Sequence, residues 1–195
     1  MIMRRILSIP YENSQIALEM GDITESDAEA IVNAANSSLM GGGGVDGAIH
    51  AAAGPEMDEE LTSIRRERYA GGLPAGQAVM TRGYRLRSKY VIHTVGPIWR
   101  GGHDNEDETL ANAYRNSLEL SAENGIHDVA FPAISTGVYG FPFDRAERIA
   151  LETVLSFLRE KKKERYVIRF VFYTEKNTQE FLRILKEYGI YKGNE

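Results

Sequence analysis

The sequence predicts a single α/β domain, a three-layer α/β/α sandwich around a mixed, mostly parallel sheet. Three observations carry this expectation. Short runs rich in β-branched and aromatic residues alternate with amphipathic helical stretches, the order that builds parallel sheets. Glycine-rich segments fall between a strand pattern and a helix pattern, where turns belong. At 195 residues, with 43% hydrophobic and 26% charged residues, the chain suits one globular domain with a substantial core. No internal repeat or domain boundary interrupts residues 1–195.

Residues 1–14 are an N-terminal extension or an edge strand. Residues 15–20 alternate apolar and polar side chains like a half-exposed strand, and 30–34 are a short apolar run suited to a buried one. Residues 45–53 form a helix, and beyond Gly54 and Pro55 the charged stretch 57–69 is helical too. Gly71, Gly72, Pro74 and Gly76 break that pattern. Residues 77–82 and 89–95 are two strands joined by a turn around 83–87. Gly96 and Pro97 end the second, and 101–105 is loop.

Residues 106–124 are an amphipathic helix with Leu110, Ala113, Tyr114, Ser117, Leu118 and Ser121 on one face and Gly125 as its cap. A strand over 128–133 contains Pro132 near its end. The next helix, 144–163, takes Asp144 as N-cap and turns Ala146, Ala150, Val154, Phe157 and Leu158 inward. Residues 166–173 are almost unbroken β-branched and aromatic sequence, as a strand covered on both faces requires. The last helix, 178–188, buries Phe181, Leu182, Leu185 and Tyr188, and residues 190–195 should fray.

Composition narrows the chemistry. Without cysteine there is no disulfide, thiolate metal site or cysteine nucleophile. No secretory segment or long apolar span is present, so the expected location is the cytoplasm. Net charge is −5, from 23 basic and 28 acidic residues, which disfavours non-specific nucleic-acid binding. Any phosphate must then be held mainly by backbone amides.

The run from Gly41 through Gly42, Gly43, Gly44 and Val45 to Asp46 supplies such amides. Glycines leave N–H groups unshielded, and the helix that follows aims its unsatisfied amides and positive dipole end the same way. Asp46 lies in its first turn, and His50 follows four residues later on the same face. After the 128–133 strand, Ser135, Thr136, Gly137, Val138 and Tyr139 make a second amide-rich loop. Two facing loops suit a pyrophosphate. His93, within a strand pattern, suits a structural hydrogen bond. Trp99 and Arg100 are placed for the rim, without a role.

Five segments occur in order: Gly21-Asp22-Ile23-Thr24, Asn33-Ala34-Ala35-Asn36, residues 41–50, His93-Thr94-Val95-Gly96-Pro97 and residues 132–139. With these the chain resembles a macrodomain, specifically the MacroD-type branch of ADP-ribosyl hydrolases, over nearly its whole length. The resemblance implies binding of ADP-ribose and its acyl esters. It also implies deacetylation of O-acetyl-ADP-ribose and removal of mono-ADP-ribose from acidic side chains of modified proteins. Asp22 and the Ile23 amide would read adenine, with Tyr173 stacked on it. Asn36 would bind the distal ribose, and Asn33 would orient it or a water. Gly42, Gly43, Gly44, Val45 and residues 135–139 would hold the phosphates, with Tyr139 also covering the ribose.

From the residues alone, Asp22 also reads as a local cap near Thr24 and Ser26, and for Tyr173 a core role is the better reading. For catalysis the resemblance points to Asp46, Asn33 and His50. Asp46 orients and partly deprotonates water, although a helix N-terminus favours its anion and makes it a weak base. His50 holds Asp46 or the ribose in register, or only contacts nearby backbone. No metal and no cofactor are expected, and neither a membrane nor a nucleic acid is an expected partner. Three alternatives stand beside the hydrolase: a non-catalytic ADP-ribose reader, an ADP-ribose phosphate phosphatase and an RNA-binding regulatory protein.

Overall fold

The computed structural model describes residues 2–193. Among them, seven strands form one sheet: β1 (Arg4–Tyr11), β2 (Ser14–Met20), β3 (Ala30–Ala35), β4 (Ala78–Arg82), β5 (Tyr90–Val95), β6 (Asp128–Phe131) and β7 (Val167–Phe172). Their order is β1-β2-β7-β6-β3-β5-β4. From β2 to β5 all neighbours are parallel, while β1 and β4 close the two edges antiparallel. The mixed, mostly parallel sheet expected from the sequence is the one observed.

Helices α1 (Gly44–Ala53) and α2 (Pro55–Arg68) cover one face. There Ile49, Ala53, Met57, Leu61 and Ile64 pack on Ile31, Val91 and Val95. Helices α3 (Glu106–Glu123), α4 (Phe143–Glu160) and α5 (Glu175–Glu187) cover the other. Leu110, Tyr114, Ala150, Val154, Phe157 and Phe181 meet Val32, Ile92, Phe131, Ile168 and Phe170 there. Each fully buried aliphatic or aromatic side chain in these layers contributes about 1.5–3 kcal/mol relative to exposure.

Several boundaries differ from expectation for local reasons. Strand β6 stops at Phe131, because Pro132 has no N–H to extend a ladder. Helix α4 begins at Phe143 after Pro142, so Asp144 is a first-turn residue and not the cap. Its carboxylate takes Arg148 at 2.8 Å and Arg183 at 3.3 Å instead. Helix α5 starts earlier than expected, with Thr174 Oγ1 accepting from the Asn177 N–H. Ile190 and Tyr191, expected to fray, donate their N–H groups to the Leu185 carbonyl at 3.0 and 3.3 Å. Asn194 and Glu195, in the same expected frayed end, lie outside the described residues, as does Met1.

One charge interrupts the apolar run of β7. Arg169 is 8% exposed and faces away from α4 and α5. Asp128 and Asp27 accept its hydrogen bonds at 2.8 Å each, which keeps a guanidinium tolerable inside the sheet layer. The carboxyl ends of β2, β3, β5, β6 and β7 all open on one edge, where the loops into α1 and α4 also start. In open α/β sheets that edge is where ligands sit.

Glu147, on α4, is fully buried, and neither carboxylate oxygen has a hydrogen-bond partner. Burial pushes its carboxyl up to about 8. The unfolded chain releases this proton near the ordinary carboxylate value and the fold only near 8. The folded state therefore holds one more proton between them, and stability falls as pH rises through that window. Glu147→Gln is expected to match the parent near pH 4 and to exceed it at pH 8. The gain is a few kcal/mol, at about 1.4 kcal/mol per unit of displaced pKa. Urea melts across pH check this; parallel stability profiles for the two proteins refute it.

Candidate active site

The first loop is built around Asn36. Its Nδ2 donates to the Gly41 carbonyl at 3.0 Å, and its Oδ1 accepts from the Ser38 N–H at 3.1 Å. Gly47 lets α1 press against this loop, since a Cβ there would stand 2.4 Å from the Gly42 carbonyl oxygen. The N–H of Gly47 makes a helical bond to the Gly43 carbonyl at 3.2 Å. The amides of Gly44, Val45 and Asp46 before it have no intrahelical acceptor and open on the cleft.

The second loop folds on itself, with Phe141 donating to the Ser135 carbonyl at 2.9 Å and Gly140 to Gly137 at 3.0 Å. Gly96, at the end of β5, is the only residue type this packing admits. A Cβ there would stand 2.1 Å from Ser135 Oγ.

Between the loops runs a cleft in two adjoining halves that share Gly44, Val45 and Ala133. One half, about 500 Å³, is lined by Asp22, Ile23, Phe172 and Tyr173. The other, about 450 Å³, is lined by Asn36, Gly42, Gly43, Asp46 and residues 135–139. The structure thus brings together all thirteen residues assigned to ligand binding from the sequence. Asp22 also serves as the local cap: its Oδ1 accepts from the Thr24 N–H at 2.9 Å and the Thr24 hydroxyl at 2.7 Å. Tyr173 is 65% exposed, so it is a cleft wall and not a core aromatic.

Of the three residues expected to act in catalysis, only Asp46 reaches the cleft. Asn33 is fully buried behind it and donates from Nδ2 to Asp46 Oδ1 at 2.8 Å. The same nitrogen lies 3.1 Å from His93 Nδ1. Since the carboxamide must donate to both, His93 carries its proton on Nε2 and gives it to Thr81 Oγ1 at 2.9 Å. Burial, aided by nearby His50, brings His93 down to about 3, so this ring stays neutral.

His50 Nε2 sits 3.2 Å from Asp46 Oδ1 without the alignment of a hydrogen bond. Its Nδ1 makes a close bond of 2.6 Å with Asp58 Oδ1. Asp46 and Asp58 raise the His50 pKa against the opposing effect of burial, Asp46 being the larger influence. His50 and Asn33 therefore stand behind Asp46, and neither lines the cleft.

Asp58 and Thr81 escaped the sequence reading. Asp58 lies on α2, across the Gly54 break from His50, so helical spacing gives no hint of the pairing. Thr81 meets His93 only through the antiparallel pairing of β4 with β5.

Residues 32–150 match the family model described as Macro domain. The chain is 63% identical over 180 residues to the uncharacterized protein Ta1105 of Thermoplasma acidophilum, covering 92% of this chain and 91% of that one. It is 53% identical to the O-acetyl-ADP-ribose deacetylase of Cronobacter turicensis, over 90% of this chain and 98% of the relative. Among solved structures, the Oceanobacillus iheyensis macrodomain with ADP superposes with a TM-score of 0.90 at 40% identity. That likeness covers 96% of this chain and 98% of the other.

The histidine pair gives a direct test of the site's electrostatics. Asp58→Asn should move the His50 titration to lower pH, because one of the two anions that stabilise the imidazolium is gone. The His93 ring should show no titration between pH 5 and 9 in either protein. NMR titration of the ring resonances reads both, and an unmoved His50 or a titrating His93 contradicts the arrangement.

Proposed function

The chain belongs to the Macro domain family, and from that membership and the cleft we propose that it binds ADP-ribose and hydrolyses its acyl esters. The substrates of this reading are O-acetyl-ADP-ribose and ADP-ribose esterified to acidic side chains of proteins. One observation carries it: a buried carboxylate, Asp46, is held on Oδ1 by Asn33 and His50 beside an amide-lined cleft. Its other oxygen, Oδ2, lies 3.2 Å from where a Cβ on Gly42, a residue of the cleft wall, would stand.

Adenine takes the half lined by Asp22, Ile23 and Tyr173, where the aromatic face stacks and the second Asp22 oxygen accepts from the exocyclic amine. The diphosphate lies against the amides of Gly44 and Val45 and of the second loop. This suits a protein of net charge −5, which brings no excess of side-chain cations to the task. The distal ribose sits between Asn36 and Tyr139, with its ester toward Asp46.

Hydrolysis needs a water aimed at the acyl carbon and donors for the oxyanion. Asp46 Oδ2 orients the water and accepts its proton, shared with a substrate phosphate oxygen. The water oxygen bonds to the acyl carbon, and free loop amides receive the developing negative charge. The acyl C–O bond then breaks, and the ribose oxygen takes back the proton that Asp46 and the phosphate received. The carboxylic acid loses its own proton to solvent and leaves as its anion. Every step uses groups of this chain and the substrate, so we infer that the reaction proceeds without a metal.

Acetate release from O-acetyl-ADP-ribose in the presence of chelator tests this directly. Asp46→Ala should lose most turnover while keeping ADP-ribose affinity within about tenfold, roughly 1.4 kcal/mol. Loss of binding instead would make Asp46 a ligand contact. Turnover absent in the parent, with ADP-ribose still bound, would make the protein a reader.

Gly43→Val probes the cradle. Gly43 has ordinary negative φ and open space where its Cβ would stand, so the fold tolerates the change. The branched side chain fills the cleft, and affinity for ADP-ribose should fall by at least about tenfold on titration calorimetry. Unchanged affinity refutes the phosphate placement.

A further inference from the structure

A third cavity, about 410 Å³, adjoins the cleft and has no part in the reading above. It shares Gly96 and Tyr139 with the half that holds Asp46, and no residue with the half lined by Asp22 and Tyr173. The three spaces therefore follow one another in line. With adenine in the first and the phosphates and ribose in the second, the third lies past the esterified end. Ser37, which directly follows Asn36 in the chain, is part of its wall.

Hydrogen bonds within the chain fix the walls of this cavity. Glu106, 2% exposed, accepts the N–H groups of Arg100, Gly102 and Asp104 at 2.9, 2.7 and 2.6 Å. That pins the segment 100–104 as one wall. The Trp99 N–H donates to the Tyr139 carbonyl at 2.8 Å and fixes this wall to the second loop of the cleft. Leu73 and Ile98 give apolar surface, and Arg100 and Asp104 give charge. The Arg100–Asp104 pair is loose, 3.8 Å between largely exposed side chains, so it holds neither group from another partner.

Resting on the proposed ester hydrolysis, we propose that this cavity is the subsite for the polypeptide that carries the ester, with Arg100 engaging its backbone carbonyls or a neighbouring acidic side chain. An acetyl group is far too small to fill it. The volume falls within the roughly 300–1,000 Å³ of sites that enclose larger ligands. The mixture of apolar wall and both signs of charge fits a peptide. A polyanion would meet Asp104 on a protein of net charge −5, which argues against a nucleic acid here.

The test compares two substrates, O-acetyl-ADP-ribose and a peptide carrying mono-ADP-ribose on a glutamate, with Ala75→Trp and Arg100→Glu. Ala75 is an exposed loop residue on the cavity wall, and neither position contributes to the nucleotide cleft. Each variant should lower kcat/KM for the peptide by about tenfold and leave that for O-acetyl-ADP-ribose within about twofold. Equal losses on both substrates, or no loss on the peptide, overturn the subsite. If the parent turns over neither, affinity for the modified peptide is compared with that for free ADP-ribose in the same proteins. A peptide advantage that vanishes in both variants upholds the subsite, and no advantage overturns it. Failure of the parent to bind ADP-ribose at all overturns the proposed function itself, and the subsite with it.

Discussion

The hydrogen bond between Asn33 and Asp46 is the contact on which the site depends. It joins the buried end of β3 to the first turn of α1 and so fixes where the helix begins relative to the sheet. A carboxylate as enclosed as Asp46 is costly unless donors meet it. Asn33 supplies one, and the His50 imidazole stands beside it. Removing the Asn33 carboxamide would take from Asp46 its one side-chain hydrogen-bond donor and leave His93 Nδ1 without a donor, with only Thr81 still bonded to that ring. The position of the carboxylate is therefore set by a buried residue that does not line the cleft.

The two histidines show how environment divides roles between like side chains. Their rings lie 6.3 Å apart, yet His50 stands between two carboxylates and is drawn toward the imidazolium, while His93 is sealed in the sheet and stays neutral. Each state supports the other. A charged His93 would repel His50 and could not accept from Asn33. A neutral His50 with Nδ1 turned to Asp58 would present a lone pair to Asp46 through Nε2. The pairing of opposite displacements is how titratable neighbours acquire distinct roles. Both roles are positional, which is why the proposed hydrolysis assigns proton acceptance to Asp46 and the substrate's own phosphate.

Much of the fold was legible because it rests on local patterns. Runs such as the one in β7 have the β-branched and aromatic content of a strand covered on both faces, and α4 shows its buried stripe plainly. The glycine loop was legible for a different reason: four adjacent glycines ahead of a helix have few uses other than exposing amides. Strand β1, which contains Pro10 and which the sequence leaves open between an extension and an edge strand, is the edge strand, paired antiparallel with its chain neighbour β2. Features made by contacts between distant elements were not legible. Asp144 has the chemistry of a cap but is captured by Arg148 and by Arg183 from α5. Asp58, Thr81 and the orphan carboxyl of Glu147 belong to the same class, since only the packed layers show what surrounds them.

The order of the three cavities suggests how one cleft can serve both recognition and reaction. The half of the cleft proposed to take adenine is walled by side chains, Asp22 and Tyr173 among them. The middle relies on backbone amides, which read charge and shape with little dependence on what is attached beyond. Only past Tyr139 do exposed, loosely paired side chains return. If the proposed reaction holds, one invariant nucleotide arrives on many acyl carriers, and this gradient suits that task. Affinity belongs to the invariant part, and contacts to the variable part must stay weak enough to release it. The rigid Glu106 turn beside the loose Arg100–Asp104 pair meets both demands, a fixed wall carrying adaptable side chains.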